Sequence, residues 1–233
     1  MNFLKYTILQ IGTILSLFTG HTAVSNASTL RMAMPIKNIQ LDPQKIEDLY
    51  SMTIVNQLYS KLFRYMPDGQ IRPDLVEKWT VSKNQTEYTF QLKSANFSDG
   101  TPITSVHAAN TLKRIFALKA ALVSDLSFIK GANKYLKTKD LNEIKISSPD
   151  SNTLKIETEK PTSLLIPLLA VPDLGILKLS TPTQAIEIKT TSPFSGVYKL
   201  SFLDSNKITL TKWRPSELEN NNSPSEVQIN LYE

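Results

Sequence analysis

Apolar positions along the chain follow two rhythms that change places. Over 30–34 every second residue is apolar (Leu30, Met32, Met34), the period of a strand with one buried face. Over 51–63 Ile54, Leu58 and Leu62 recur at i, i+4 and i+8 with Val55 and Tyr59 beside them, which predicts a helix with a core-facing stripe. Period two returns over 87–93, where Tyr88, Phe90 and Leu92 share a face, as the second strand of a hairpin whose short first strand follows Trp79. A helix is predicted over 105–118 with Ala108, Leu112, Ile115 and Phe116 inward, then helix and loop over 119–138 broken at Gly131. Ile144 to Ile146 and Leu154 to Ile156 predict a hairpin around Pro149. The short run from Leu164 to Leu169 is interrupted by Pro167 and leads into an irregular buried stretch over 171–175. The clearest hairpin sets Tyr198, Leu200 and Phe202 against Ile208 and Leu210 across Asp204-Ser205-Asn206. A surface loop over 216–225 and a strand over 227–231 follow.

The corner between the two central elements is Phe97-Ser98-Asp99-Gly100-Thr101-Pro102-Ile103-Thr104. Ser-Asp-Gly supplies turn residues, Pro102 fixes φ, and Thr104 is placed to cap the helix after it. Further punctuation stands at Leu41-Asp42-Pro43 and Pro67-Asp68-Gly69, each ahead of a change of period.

In this order and at this spacing, the corner, Leu41-Asp42-Pro43, Pro67 to Trp79, Thr153 to Glu157 and Ser195-Gly196-Val197-Tyr198-Lys199-Leu200 resemble the amino-terminal half of an extracytoplasmic solute-binding protein of family 5. These are the oligopeptide- and dipeptide-binding subunits of ABC importers. The resemblance runs from about Leu30 to the last residue. It implies an α/β fold, the first lobe of a type II periplasmic binding protein, with a mixed sheet and an inserted α/β subdomain. The expected division is lobe segments over 28–65 and 144–233 and an insertion over 66–143, with the second lobe missing.

The resemblance also implies a ligand held non-covalently in a cleft and presented to an inner-membrane permease. An extended peptide would pair through main-chain bonds of the strand-addition kind. The positions matching the family's first-lobe pairing segment are Glu47, Asp48 and Leu49, which otherwise read as a solvated loop. A second candidate is the loop holding Phe194, Ser195 and Gly196, where the family usually has glycine, threonine or asparagine, and glycine in succession. Glycine there also reads as a residue required by turn geometry. A helix carrying the 164–169 sequence packs, in the family, near the floor of the cleft. The family's charged clamp for a peptide amino terminus lies in the second lobe. One departure stands out: three residues after Thr104 the family usually has an acid that completes a reciprocal cap, and this chain has His107, which predicts a slightly weaker helix start.

Composition narrows the alternatives. With 233 residues, 41% of them hydrophobic and 20% charged, the chain has the composition of an ordinary globular protein. The net charge of +5 is spread without a run of five like charges, so nucleic acid is not an expected partner. The first 27 residues read as an export signal: Lys5 precedes an apolar stretch from Tyr6 to Phe18, and Ser25-Asn26-Ala27 offers small residues for cleavage near Ala27. That stretch is shorter than the roughly 20 residues of a spanning helix. With no cysteine for a disulfide or a lipid anchor, a periplasmic protein of a two-membrane bacterium is expected.

Catalytic chemistry leaves no trace. The sequence holds no Gly-x-Ser-x-Gly, His-Glu-x-x-His, Walker loop or dinucleotide fingerprint, and beyond residue 27 only His107 remains for imidazole chemistry. No enzyme activity, metal or cofactor is expected. The leading expectation is a solute-binding subunit, for a peptide or else a metal complex, haem or sugar. The other reading is a half-module that associates with another polypeptide through the face left by the missing lobe, or that has no transport activity.

Overall fold

The computed structural model describes residues 28–36, 38–215 and 223–232. The expected export signal and most of the 216–225 loop lie outside the described residues. In order, the chain forms β1 (Thr29–Met34), a 3-10 turn (Pro43–Lys45), α1 (Leu49–Leu58), β2 (Phe63–Tyr65), β3 (Ile71–Pro73), β4 (Val76–Val81) and β5 (Glu87–Leu92). Then come α2 (Ser105–Leu118), α3 (Ala132–Thr138), β6 (Ile146–Ser147), β7 (Thr153–Glu157), α4 (Leu165–Leu168), β8 (Tyr198–Leu203), β9 (Lys207–Lys212) and β10 (Glu226–Leu231).

Two four-stranded sheets each carry their own core. The first has the order β1-β10-β9-β8 and is mixed, with β1 parallel to β10 and the other pairs antiparallel. Its register sets Leu30 beside Val227 and Met32 beside Ile229, so one face is apolar across the strands, and Ile54, Val55 and Leu58 of α1 pack on it. The second has the order β4-β5-β7-β6. Here Phe90, Leu154 and Ile156 meet Leu112, Ile115 and Phe116 of α2, while a separate two-stranded ladder pairs β2 with β3. Trp79, expected ahead of the hairpin, lies within β4 opposite Phe90.

The chain crosses between the cores at 59–62 and again at 176–177: Tyr59 belongs to the first core and Leu62 to the second, Ile176 to the second and Leu177 to the first. This split differs from the expected boundary at 143/144, because β6 and β7 extend the sheet that β4 and β5 begin. It also explains α1. The helix expected over 51–63 starts at Leu49, where Asp48 accepts from the Ser51 N–H at 2.7 Å, and stops at Leu58. Tyr59 is extended, and Leu62, third in the apolar series, serves the other core.

The corner at 97–104 forms as its residues dictate. Gly100 takes φ +85° and its N–H donates to the Phe97 carbonyl at 2.9 Å. The Thr104 N–H donates to His107 Nδ1 at 3.0 Å, so the imidazole stands where an acid would complete the cap.

Candidate functional site

The segment from Leu41 to Tyr50 is fixed from below by a charged network. Arg114 of α2, 2% exposed, donates to both carboxylate oxygens of Asp42 at 2.9 and 2.7 Å and to Gln44 Oε1 at 2.9 Å. Gln44 in turn donates to the Thr111 carbonyl at 2.7 Å, and the Tyr59 hydroxyl to the Leu41 carbonyl at 3.3 Å. A bidentate guanidinium–carboxylate pair is among the stronger and more directional protein contacts. It pins residues 41–44 to a helix 72 positions away in sequence.

Above this network the backbone is extended at Ile46 (φ −71°, ψ 135°) and at Asp48 (φ −135°, ψ 157°). Among the described residues nothing hydrogen-bonds to the main chain of Glu47. Glu47 is exposed, Leu49 is 75% and Tyr50 38% exposed, and the Asp48 carboxylate is engaged in capping α1. An exposed leucine beside unpaired extended main chain can accept an extended chain laid against it.

Phe194, Ser195 and Gly196 lie elsewhere and are buried. The Phe194 ring sits 5.7 Å from that of Tyr59. Ser195 Oγ donates to the Ile176 carbonyl at 2.6 Å and accepts from the Ser60 N–H at 3.2 Å, tying together both crossings between the cores. The Gly196 N–H donates to the Leu58 carbonyl at 2.8 Å, and a Cβ on Gly196 would fall 2.3 Å from the Gln57 carbonyl oxygen. Close backbone approach, not turn geometry, therefore requires this glycine. The two groups of candidates are not brought together: one is surface and extended, the other is packing at the crossing.

A groove of about 330 Å³ runs between α1 and the apolar sheet face, lined by Leu30, Met32, Thr53, Ile54, Gln57 and Val227 among others. Thr53 Oγ1 donates to the Leu49 carbonyl at 2.8 Å, so the groove and the exposed segment share one helix.

The residues that composition and period did not disclose are charged and buried. Arg114 lies between Thr111 and Ile115 on a helix buried on most of its circumference. Lys61, 1% exposed, donates to Asn56 Oδ1, and its ammonium is pushed down to about 8 by burial first and Arg64 second, against Asp74. No local pattern in the sequence points to either of them. Among the described residues no group of three or more metal-ligating His, Cys, Asp or Glu side chains assembles, and no helix is long and apolar enough to cross a membrane.

Comparison with known proteins places this geometry. Residues 70–215 match the family model of bacterial extracellular solute-binding proteins, family 5 Middle. A probable D,D-dipeptide-binding periplasmic protein of Escherichia coli strain K12 is 30% identical over 136 residues, 56% of this chain and 24% of that protein. The periplasmic oligopeptide-binding protein of the same strain is 25% identical over 202 residues, 80% of this chain and 36% of that one. Two solved structures share the fold. The pheromone receptor PrgZ superposes with a TM-score of 0.79 at 22% identity, over 88% of this chain and 43% of that one. The murein tripeptide binding protein of Escherichia coli gives 0.78 at 20%, over 89% and 42%. The chain thus spans less than half the length of these relatives. With the matched model covering more than half of its residues, the chain belongs to the bacterial extracellular solute-binding proteins of family 5.

Proposed function

We propose that the chain binds an extended peptide along residues 46–49, as the amino-terminal part of a periplasmic subunit that delivers its ligand to an inner-membrane ABC permease. The reading rests on one observation: extended backbone at Ile46 and Asp48, with the main chain of Glu47 unpaired among the described residues and Leu49 75% exposed. Main-chain pairing accepts peptides of varied sequence because every peptide offers the same donors and acceptors. The names of relatives that bind dipeptides and oligopeptides support the ligand class. Glu47 and Leu49 act as direct contacts and Asp48 fixes the helix start. Phe194, Ser195 and Gly196 act from behind, through Tyr59 and Leu58. Export on residues 1–27 is part of the same proposal.

Peptide pools of two to five residues, titrated into the full chain in a thermal-shift experiment, test it. A peptide at 100 times its dissociation constant raises stability by about 2.7 kcal/mol, and the upward shift is expected to vanish when Glu47→Ser and Leu49→Ser are combined. A cooperative transition that no pool moves overturns the reading.

The apolar face exposed at Leu30, 48% accessible beside the groove, favours a second reading, association with another polypeptide. Sedimentation that is independent of concentration counts against self-association.

A further inference from the structure

A cavity of about 470 Å³, which none of residues 46–49 lines, lies under the strap of chain over 177–193. Its apolar lining includes Tyr59, Leu177, Leu179, Ile186 and Ile188, and His107, Lys178, Ser180, Gln184, Glu187 and Ser192 supply polar groups. The strap is closed by its own bonds. The Ser180 N–H and hydroxyl both donate to Gln184 Oε1 at 2.9 Å, and the Lys189 N–H donates to Ser192 Oγ at 2.9 Å. Glu187 is paired with Lys189 at 2.7 Å and the Ser180, Gln184 and Ser192 side chains are taken up within the strap, so the apolar walls dominate what a ligand would meet, the character of a small-molecule site.

His107 supplies the polar group. Its Nδ1 accepts from the Thr104 N–H at 3.0 Å and so carries no proton, which leaves the ring neutral with its hydrogen on Nε2. Burial first, and Lys178 second, push the imidazole below its ordinary value against the pull of Asp99, in keeping with that neutral form. Nε2–H has no acceptor among the described residues; the ring stands perpendicular to Phe97 at 5.1 Å. Lys178, at the same rim, is held by Asp99 at 2.7 Å, so the rim carries a matched pair and little net charge. A carboxylate at position 107 could cap the helix but could only accept. The imidazole caps with one nitrogen and keeps a donor on the other.

We propose that this cavity binds a small uncharged apolar molecule presenting a single hydrogen-bond acceptor, with His107 Nε2–H as the donor that orients it. Acetophenone, an acceptor with no donor and no charge, is the probe, titrated into the full chain and followed by NMR chemical shifts. Saturable shifts are expected at Tyr59, His107, Ile186 and Ile188. Two variants separate donor from cap. His107→Glu keeps a capping side chain without a donor, and weakens binding about tenfold, the scale of one hydrogen bond lost from a buried group. His107→Gln keeps both an acceptor for the cap and an amide donor, and binds within about threefold of the wild type. The proposal is overturned by shifts that never saturate, by shifts confined to the groove beside α1, or by equal affinities of the two variants. A His107→Glu protein that fails to fold leaves the wild-type mapping and the His107→Gln titration to decide.

Discussion

Lys61 is the residue whose position its type least explains. Its backbone N–H donates to Asp74 Oδ2 at 2.9 Å, which sets the chain where it enters the second core, and the side chain is carried inside with it. The ammonium, lowered to about 8 from 10.5, is less stable folded than unfolded in its charged form. For a base depressed in this way the folded state releases its proton first. Stability therefore rises as pH climbs from about 8 through 10.5, and the penalty is fully present below 8. Lys61→Met is expected to stabilise the protein by about 1–2 kcal/mol at pH 7, since replacing a buried charge by an apolar chain of similar length removes its desolvation penalty. Denaturant unfolding of both proteins across pH 7 to 10.5 checks it: the gap between them narrows as pH rises. A charged side chain in a short apolar run reads as surface, so nothing local in the chain announces this burial.

At the scale of elements, legibility followed how local each signal was. The helix over 105–118 was readable to the residue because its limits are local: Thr104 is extended at one end and Lys119 adopts a left-handed conformation (φ 53°, ψ 40°) at the other. The hairpin of β8 and β9 was readable because alternation and turn residues adjoin. By contrast the end of α1 is not legible, since nothing local stops it; Leu58 is the last helical residue because the chain must leave for the other core. Gly196 presses on that exit. Gly196→Ala is expected to destabilise by about 1–3 kcal/mol, the range for forcing extra volume into close packing. Its Cβ would meet backbone at Gln57, Leu58 and Tyr59, none of which can swing away. Equilibrium urea unfolding measures the loss, and an unchanged midpoint would refute the close approach.

For the whole molecule, the pair of Asp42 and Arg114 joins the two cores. Asp42 precedes the helix that covers the first sheet, and Arg114 belongs to the helix that covers the second. Removing one partner strands a buried charge, so Arg114→Met is expected to cost about 3–5 kcal/mol. Asp42→Leu combined with Arg114→Met is expected to lose less, because neither charge is then left alone. Guanidinium unfolding of the two single variants and the double variant checks it, and a double variant as unstable as the sum of the singles would sink the coupling.

The sequence by itself determined the elements and the family: period, caps and turns act within a few residues, and the ordered signatures from Leu41-Asp42-Pro43 to the Tyr198 strand carried the resemblance that residues 70–215 then bore out. It also marked residues 47–49 and, as a second candidate, residues 194–196. Only the tertiary structure distinguished them, leaving Leu49 exposed beside unpaired backbone and sealing Phe194 and Ser195 at the crossing between two cores. It alone revealed that α2 holds a buried arginine, that Lys61 is inside, and that His107 caps with Nδ1 and lines a cavity. The reason is range. Hydrogen bonds along a helix or across a tight turn are fixed by neighbours in sequence, whereas burial such as that of Arg114 against Asp42 is fixed by what arrives from far along the chain.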